Sequence, residues 1–393
     1  MQLKMVKFNV MRKIFWGILV VIFAVVLFQV FSACQRNANK IEWISPYRKI
    51  DWNNITQAKA QLHTHTTCTD GFLNPHSLVD LYYEGDYSIL AVTDHWNVIY
   101  PWEKFKSFQP SEKTLERFDE GRFNGLTREE LFDFENRNPE SLNMVAIKGC
   151  EPSFTGKSQH HMISLFSDIT GQGLNFDEAL AAIGEERGLL SFAHPGRWVE
   201  RKNNELKDYI NYFDKYPHIY GIDIFNPSSF NDTIRWPHCK KLINNILMHY
   251  GSPADSGWRP IWLTATDDLH RANGVDQGLQ IQLIKKFNQE EIYNSLKEGA
   301  FFWVAKAPNA EVPQIQKISF NKSSITIKGE GFDKVSWYFN NEIVHTGETF
   351  DLIKNGFEEL FYVYFMAQTS DFSIEKKQGA VIGSQPFWFK KID

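Results

Sequence analysis

The chain has 393 residues, of which 43% are hydrophobic and 23% are charged, so it can bury a sizeable core and is not an intrinsically disordered protein. At this length we expect about two or three domains. Its 42 Lys and Arg against 47 Asp and Glu give a formal net charge of −5, without the basic excess of a nucleic-acid-binding protein. Four cysteines are too few for a disulfide scaffold. We therefore expect no nucleic-acid partner and no disulfide framework.

Residues 1–33 predict an export signal that is not part of the folded body. Four basic residues precede the uncharged run Ile14–Cys34, which is the order of regions in a secretory signal. The run ends in Phe31-Ser32-Ala33-Cys34, which resembles a bacterial lipobox and makes Cys34 the expected lipidation site. The alternatives are an uncleaved membrane anchor, because the run is nearly long enough to span a bilayer, and a soluble cytoplasmic chain. We expect an exported, membrane-anchored lipoprotein, periplasmic or at the cell surface.

Residues 34–58 are expected to form a tether, and residues 59–307 an α/β domain. In this domain apolar runs alternate with amphipathic helical stretches, which predicts parallel strands and, with about seven of them, a barrel. The predicted strands are Ala60–His63, Ser88–Thr93, Met144–Lys148, Met162–Phe166, Leu189–Ala193, Tyr220–Phe225 and Pro260–Thr264. The predicted helices include Asp177–Arg187, Ile234–His249 and Glu290–Glu298.

Residues 308–393 differ in character, because helical periodicity disappears and β-rich runs alternate with turn residues. The predicted strands are Gln316–Ile327, Lys334–Phe339, Leu360–Ala367 and Pro386–Phe389. We interpret this region as a small all-β sandwich domain. Residues 96–143, before the strand that leads to Glu151, are expected either to cover the mouth of the barrel as helices or to be structural padding.

Short polar clusters accompany the predicted strands and together indicate a metal site. His63 and His65 end the first strand with their side chains on the same side, since side chains alternate along a strand. The other clusters are Thr93-Asp94-His95, Gly149-Cys150-Glu151, His160-His161, His194-Pro195 and Thr266-Asp267-Asp268-Leu269-His270. Each one alone could cap a strand or helix. Most of them follow an apolar strand, at the face where α/β barrels assemble their sites, and imidazole with carboxylate ligands suits Zn, Mn or Fe.

The order of these clusters resembles the PHP family, the polymerase and histidinol phosphatase metal-dependent hydrolases, over about residues 59–300. The motifs that carry the resemblance are His63-x-His65 with Asp70-Gly71, Thr93-Asp94-His95, His194-Pro195 and Asp268-x-His270, with Glu151 as a bridging carboxylate. Within this family, the sequence most resembles the carbaryl-hydrolase branch. The resemblance implies a distorted (β/α)7 barrel with two or three divalent metal ions.

The resemblance also implies which residues bind metal. The implied ligands are His63, His65, Glu151 and Asp268 for one ion, Glu151, His161 and His194 for a second, and Asp70, His95 and His270 for a third. His161 is preferred to His160 because it directly precedes the apolar run. Asp94 is expected to orient a ligand histidine rather than to bind metal itself.

The implied reaction is hydrolysis of a small phosphoester by a hydroxide that bridges the metals, with Glu151, His194 and Asp268 as catalytic residues. Arg197 is the candidate for binding the substrate phosphate, with a surface salt bridge as the alternative. Asn226 is a second substrate-binding candidate, with a turn cap as the alternative, and Arg271 beside His270 is a third. A carboxyl ester or carbamate hydrolase with the same metals is the second hypothesis. A non-catalytic surface binding protein is the third.

Overall fold

The computed structural model describes residues 41–123, 125–154, 160–198, 206–227, 235–354 and 360–391. The predicted signal, the predicted lipidation site Cys34 and the start of the predicted tether lie outside these residues, so export and anchoring stay predictions. Among the described residues, no helix is both long and apolar enough to cross a bilayer.

The described residues form a mixed α/β fold. The helices are α1 Pro75–Glu84, α2 Glu112–Asp119, α3 Arg128–Phe132, α4 Phe176–Glu185, α5 Leu206–Lys215, α6 Arg235–Tyr250 and α7 Gln289–Glu298, with 3-10 helices at Pro46–Lys49, Trp102–Ser107, Pro195–Trp198 and Ala272–Gly274. The strands are β1 Ile41–Ile44, β2 Thr56–Gln61, β3 Ile89–Ala91, β4 Val145–Ile147, β5 Gly149–Cys150, β6 Met162–Leu165, β7 Leu189–Phe192, β8 Ile219–Phe225, β9 Trp262–Ala265, β10 Gly278–Ile284, β11 Phe301–Lys306, β12 Gln314–Asn321, β13 Ser324–Glu330, β14 Lys334–Phe339, β15 Glu342–Thr346, β16 Thr349–Asp351, β17 Tyr362–Gln368, β18 Ala380–Gly383 and β19 Phe387–Lys391.

Local sequence signals set where several helices begin and end. Helix α4 begins with a capping box, in which the Asn175 side chain accepts from the Glu178 amide at 3.0 Å and the Glu178 carboxylate accepts from the Asn175 amide at 2.9 Å. Helix α7 ends at Gly299, whose φ of +75° is left-handed. A side chain there would also collide with the Trp262 ring. These caps place α4 and α7 close to their predicted positions.

Hydrogen bonding divides the described strands into an eleven-stranded sheet, a five-stranded sheet and a three-stranded sheet. In the largest sheet β2, β3 and β4 run parallel, and β10 pairs with β2 in the antiparallel direction. The five-stranded sheet has the order β5-β6-β7-β8-β9, with β7, β8 and β9 parallel.

The closed (β/α)7 barrel predicted from the sequence is not found among the described residues. The predicted barrel strands fall into two sheets, which are linked near the polar clusters by the isolated bridges Thr64–Leu269 and His95–Glu151. Pairing is limited to single bridges where the backbone leaves extended geometry, as it does at Asp268 with a φ of +49°. The carboxyl ends of β2, β3, β7 and β9 nevertheless converge on one region.

The C-terminal region is rich in strands, but a separate sandwich domain is not confirmed. Strand β11 pairs with β18 in the antiparallel direction, so the largest sheet continues from the α/β region into the C-terminal region. The three-stranded sheet β12-β13-β16 packs on it, with the rings of Trp337 and Phe350 5.2 Å apart. Residues 41–58, expected in the tether, instead supply β1, a 3-10 helix and the start of β2, and β1 pairs with β19.

The hydrophobic core lies on both faces of the largest sheet. Strand β11 is buried along its whole length. Its residues Phe301 and Trp303 belong to one buried cluster and Phe302 and Val304 to the other, as the alternation of side chains along a strand requires. The sheet is therefore a rigid support for the loops at its edge.

Candidate metal centre

His63 and His65 follow β2 and are fully buried. Their Nε2 atoms lie 3.1 Å apart. The backbone holds them in place, because the His65 amide donates to the Leu269 carbonyl at 2.9 Å and the Thr64 amide donates to the Thr93 hydroxyl at 2.9 Å. Two imidazoles that are two residues apart at one strand end therefore face the same point.

Two carboxylates face the same point as this histidine pair. Glu151 Oε2 lies 3.3 Å from His63 Nε2 and 3.2 Å from His65 Nε2. Asp268 Oδ1 lies at the same two distances from the same two atoms. A buried group of two imidazoles and two carboxylates has the composition of a divalent metal site.

The two carboxylate oxygens of Glu151 face different histidines. While Oε2 faces His63 and His65, Oε1 lies 2.9 Å from His161 Nδ1 and 3.2 Å from His194 Nε2. The carboxylate therefore lies between two sets of imidazoles, which is the placement that a bridging ligand requires.

Asp70 is the centre of a third set. Its Oδ1 lies 3.3 Å from His270 Nε2, 3.6 Å from His95 Nε2 and 3.7 Å from His65 Nδ1. The loop can return to His65 because residue 71 is glycine, and a Cβ at Gly71 would collide with the His65 carbonyl.

The structure brings all of the implied ligands together, but it groups them differently from the implied assignment. Ligand atoms within 4.8 Å of one another form the sets His65-Asp70-His95-His270, His63-Glu151-His194-Asp268 and His95-Glu151-His161. His65 thus joins the Asp70 set, and His194 joins the His63 set. His95 faces both Asp70 and, with Nδ1 at 2.9 Å, Glu151.

Several buried polar atoms of the cluster have no hydrogen-bond partner within the described part of the chain, which suits the binding of cations. Among the described residues, Asp70 Oδ1, Glu151 Oε2 and the Nδ1 atoms of His63 and His65 are buried without a hydrogen-bond partner. Buried polar atoms are otherwise paired in folded proteins, because leaving them unpaired costs free energy. Glu151 Oε2 lacks a hydrogen bond although imidazole nitrogens surround it, so its lone pairs are suited to a metal ion.

Metal binding needs carboxylates and neutral imidazoles, and the carboxylates of Glu151 and Asp268 and the imidazole of His194 are in these states. Burial raises the pKa of Glu151 and Asp268, but the surrounding histidines outweigh burial and hold both pKa values well below the usual range. Burial lowers the pKa of His194 to about 4. Burial also lowers the pKa of His63 and His65, but Glu151 and Asp268 outweigh burial and raise both pKa values, so a metal ion would compete with protons for these two imidazoles.

His194 and Asp268 have unusual backbone conformations. Their φ angles are +32° and +49°, in the left-handed region that residues other than glycine rarely adopt. Such strain persists where the surroundings impose it, and it is concentrated at functional sites.

A buried aspartate that the sequence analysis missed supports His194. Asp223 Oδ2 accepts from the His194 amide at 3.1 Å and from the Thr266 hydroxyl at 3.0 Å, and Oδ1 accepts from the Thr264 hydroxyl at 2.7 Å. Burial raises the pKa of Asp223 to about 6. The signal for it was an aspartate inside the apolar run Ile219–Phe225.

Asp94, which was expected to orient a ligand histidine, contacts the loop after β2 instead. Its carboxylate accepts from the Thr66 amide at 2.8 Å and from the hydroxyls of Thr66 and Thr69. These bonds hold the segment between His65 and Asp70, so Asp94 acts on the backbone of the loop.

Two neighbours of the implied ligands point elsewhere. Asp267 accepts from the Tyr82 hydroxyl and from the amides of Asp276, Gln277 and Gly278. His160 packs between aromatic rings, 4.9 Å from the Tyr209 centroid, and burial lowers its pKa to about 4. The choices of Asp268 and His161 agree with this placement.

A cleft of about 510 Å³ opens beside Asp70, Asp268 and His270. The predicted substrate-binding residues Arg197, Asn226 and Arg271 line it, as do two further arginines, Arg117 and Arg235. Arg197 is 45% exposed, and its Nη1 lies 3.9 Å from Asp268 Oδ2. Sequence analysis missed Arg117 and Arg235, which no motif marks.

Part of the segment 96–143 covers the cluster rather than padding the fold. Helix α2 begins at Ser111, whose amide donates to the Thr67 carbonyl at 2.9 Å. Lys113 Nζ lies 3.1 Å from Asp70 Oδ2, and Arg117 donates to the Asp70 carbonyl.

Comparison with known proteins gives distant structural likenesses. A two-domain protein from Bacteroides vulgatus that contains a predicted PHP-like metal-dependent phosphoesterase shares 14% identity and a TM-score of 0.48, over 88% of this chain and 98% of that one. An amidohydrolase from Chromobacterium violaceum shares 13% and 0.35, over 55% and 88%. A lesion-specific endonuclease from Pyrococcus furiosus shares 14% and 0.35, over 61% and 56%. No family model and no curated protein matches the chain. At this distance, the chemistry has to be derived from the cluster and the cleft.

Proposed function

We propose that this protein is a metal-dependent phosphoesterase of the PHP type that hydrolyses a small phosphoester. The observation that carries the proposal is the position of an arginine-lined cleft directly beside a buried cluster of histidines and carboxylates. The cluster supports metal binding, and the arginines support an anionic substrate. The order of motifs along the chain supports the same chemistry.

The residues that would hold the metals are those of the cluster. They are His63, His65, Asp70, His95, Glu151, His161, His194, Asp268 and His270. Two or three divalent ions of Zn, Mn or Fe would supply Lewis acidity that activates water and offsets charge on phosphoryl oxygens. The number of ions depends on whether two histidines are shared between sets: His65, which faces three carboxylates, and His95, which faces two.

The chain itself would position the substrate at the boundary between cluster and cleft. Asp268 Oδ2 lies 3.9 Å from His194 Nε2 and 3.9 Å from Arg197 Nη1. Asp268 therefore lies at the boundary of the cluster and the cleft. A phosphoryl group held there would face the cluster on one side and a guanidinium on the other. Arginine suits this role because its planar fork can donate two hydrogen bonds to a phosphate.

The arginines also distinguish the phosphoester from the alternative substrate. A phosphate monoester carries nearly two negative charges at neutral pH, whereas a carboxyl ester or carbamate is neutral at the reacting group. Four arginines around one cleft favour the charged substrate. A purely structural or scaffold role would not explain unpaired acceptors buried at the centre of the cluster.

We further propose that the protein is exported and held at the membrane through Cys34. This proposal is supported by the basic and apolar run that precedes Cys34. The catalytic region would then act outside the cytoplasm on a small phosphoester, with no nucleic-acid partner.

A substrate panel tests the proposed reaction. Purified protein loaded with Mn²⁺ or Zn²⁺ is assayed with phenyl phosphate, diphenyl phosphate and phenyl acetate, and each assay is repeated after chelation. We expect turnover of a phosphate that chelation abolishes, with phenyl acetate a much poorer substrate. Turnover of phenyl acetate without any turnover of the phosphates would replace this proposal with the carboxyl ester hydrolase.

A further inference from the structure

Two guanidinium groups lie close to the ring of Phe72, next to the cluster of histidines and carboxylates. The Arg271 guanidinium carbon lies 3.5 Å from the centroid of the Phe72 ring, and that of Arg117 lies 5.5 Å from it. The Phe123 ring also packs near it, with the centroids 4.7 Å apart. Phe72 is two residues after Asp70, so the ring brings two positive charges to the edge of the Asp70 set.

Neither guanidinium forms a salt bridge with another described residue. The carboxylate of Asp70 faces Lys113 and His270. Arg117 donates to a neutral acceptor, the Asp70 carbonyl. Arg117 and Arg271 carry like charges and line the same cleft, so an anion in that cleft would relieve the repulsion between them.

Both arginines line the same cleft as Arg197. They lie on the side of Asp70 and Phe72, whereas Arg197 lies beside Asp268. A single phosphoryl group at the boundary of Asp268 and Arg197 therefore leaves the Arg117–Arg271 pair available to another part of the same ligand. Stacking on an aromatic face favours arginine in this role, because it holds the planar fork in one orientation.

We propose that the Arg117–Arg271 pair on Phe72 binds a second anionic group of the substrate. The substrate class is then a phosphoester that carries a further phosphate or carboxylate away from the bond that is cleaved. The proposal rests on the proposed phosphoesterase function, and it adds a specificity site to it.

The test compares phosphoesters that differ in one remote charge. Phenyl phosphate is compared with two phenyl phosphates that carry a para carboxylate, one attached directly and one through a two-carbon linker. For the wild-type enzyme we expect at least one carboxylated substrate to have a kcat/KM roughly tenfold or more above that of phenyl phosphate, mainly through a lower KM. This is the range expected for a charge-assisted hydrogen bond.

Variants of Arg117 and Arg271 test whether these residues cause the preference for carboxylated substrates. Arg271→Gln and Arg117→Gln are each expected to remove most of the preference, so that the ratio of kcat/KM between the carboxylated substrate and phenyl phosphate falls toward one. Phe72→Leu keeps both charges but removes the ring that orients them, and it should weaken the preference to an intermediate value. Arg128→Gln is the matched control, because Arg128 is exposed and pairs with Asp119.

The outcomes separate this inference from the proposed function. No phosphatase activity toward any of the three substrates would overturn the proposed function itself. Activity without a preference for either carboxylated substrate would overturn the inference alone. It would also be overturned if the arginine variants, shown to be folded by their circular dichroism spectra and melting temperatures, lost equal activity on all three substrates.

Discussion

Lys113 Nζ lies 3.1 Å from Asp70 Oδ2, so an ammonium group shares a carboxylate with the imidazoles of His65, His95 and His270. Helix α2 is fastened to the loop that carries Asp70 by backbone and side-chain bonds of Ser111 and Thr114 to that loop. The lysine therefore belongs to the Asp70 set by position, although no motif includes it. A positive charge this close opposes the binding of a cation by the same carboxylate.

Replacing Lys113 is expected to tighten metal binding at the Asp70 set. Lys113→Gln removes one positive charge from a carboxylate that a metal would use. The gain in affinity is roughly three- to thirtyfold, because exposed charges about 4 Å apart interact by about 1 kcal/mol per unit charge in a water-like dielectric. Lys113 is 56% exposed, which places the result toward the lower end. Metal titration of chelator-treated protein measures it, with Lys106→Gln as the control because Lys106 is exposed and lies outside the cluster. Unchanged affinity in Lys113→Gln would show that the lysine does not influence this set.

Arg197→Ala is expected to affect phosphate and neutral substrates differently. The variant should lose roughly tenfold to several hundredfold in kcat/KM for phenyl phosphate, because a charged hydrogen bond contributes about 1–3 kcal/mol. Turnover of phenyl acetate should change much less, since that substrate needs no cation. Arg122→Ala, on an exposed part of the chain, is the control. Equal losses on both substrates would mean that Arg197 is structural.

Asp223→Asn is expected to weaken the support of His194. The carboxylate accepts hydrogen bonds from the His194 amide and from Thr264 and Thr266. An asparagine side chain has one oxygen and one NH2 group, so its NH2 group would face at least one of these donors. Loss of a residue that positions a metal ligand typically lowers metal affinity by about tenfold to a hundredfold. Metal titration and a thermal melt check this, with Asp214→Asn as an aspartate control away from the cluster. Native metal affinity in Asp223→Asn would remove Asp223 from the supporting residues.

Cys34→Ala is expected to release the protein from membranes or to block its processing, because the acylated residue of the lipobox is lost. Fractionation of cells and incorporation of radiolabelled fatty acid measure this. Labelling of the Cys34→Ala variant to the same extent as wild type would contradict the lipoprotein proposal.

The residues of the cluster could be named from the sequence because most of them follow or precede an apolar strand in a short motif. His63 and His65 are two residues apart at a strand end, and the Asp-x-His spacing distinguishes Asp268 from Asp267. The grouping of these ligands could not be predicted, because it depends on how far each ring reaches across the space between two sheets. His65 is the clearest example, since it lies beside His63 in the sequence but faces Asp70 with its other nitrogen.

Contacts between distant segments account for the rest of the differences. Lys113 and Arg117 reach Asp70 only because α2 folds back over the loop after β2. The pairing of β11 with β18 joins the two regions that the sequence separates at residue 308, and strand residues carry no local sign of their partner. The run Gln316–Ile327, interpreted as one strand, is a hairpin in which Asn321 pairs with Ser324.

The most direct test of the central claim is metal content and phosphatase activity measured on the same preparations of wild type and Glu151→Gln. Glu151 faces histidines with both of its oxygens, so losing its charge should lower bound metal and reduce phenyl phosphate turnover by roughly a hundredfold or more. Glu103→Gln, an exposed glutamate, should match wild type in both. We expect bound metal and activity to fall together in Glu151→Gln. Full activity with unchanged metal content in Glu151→Gln would contradict this prediction.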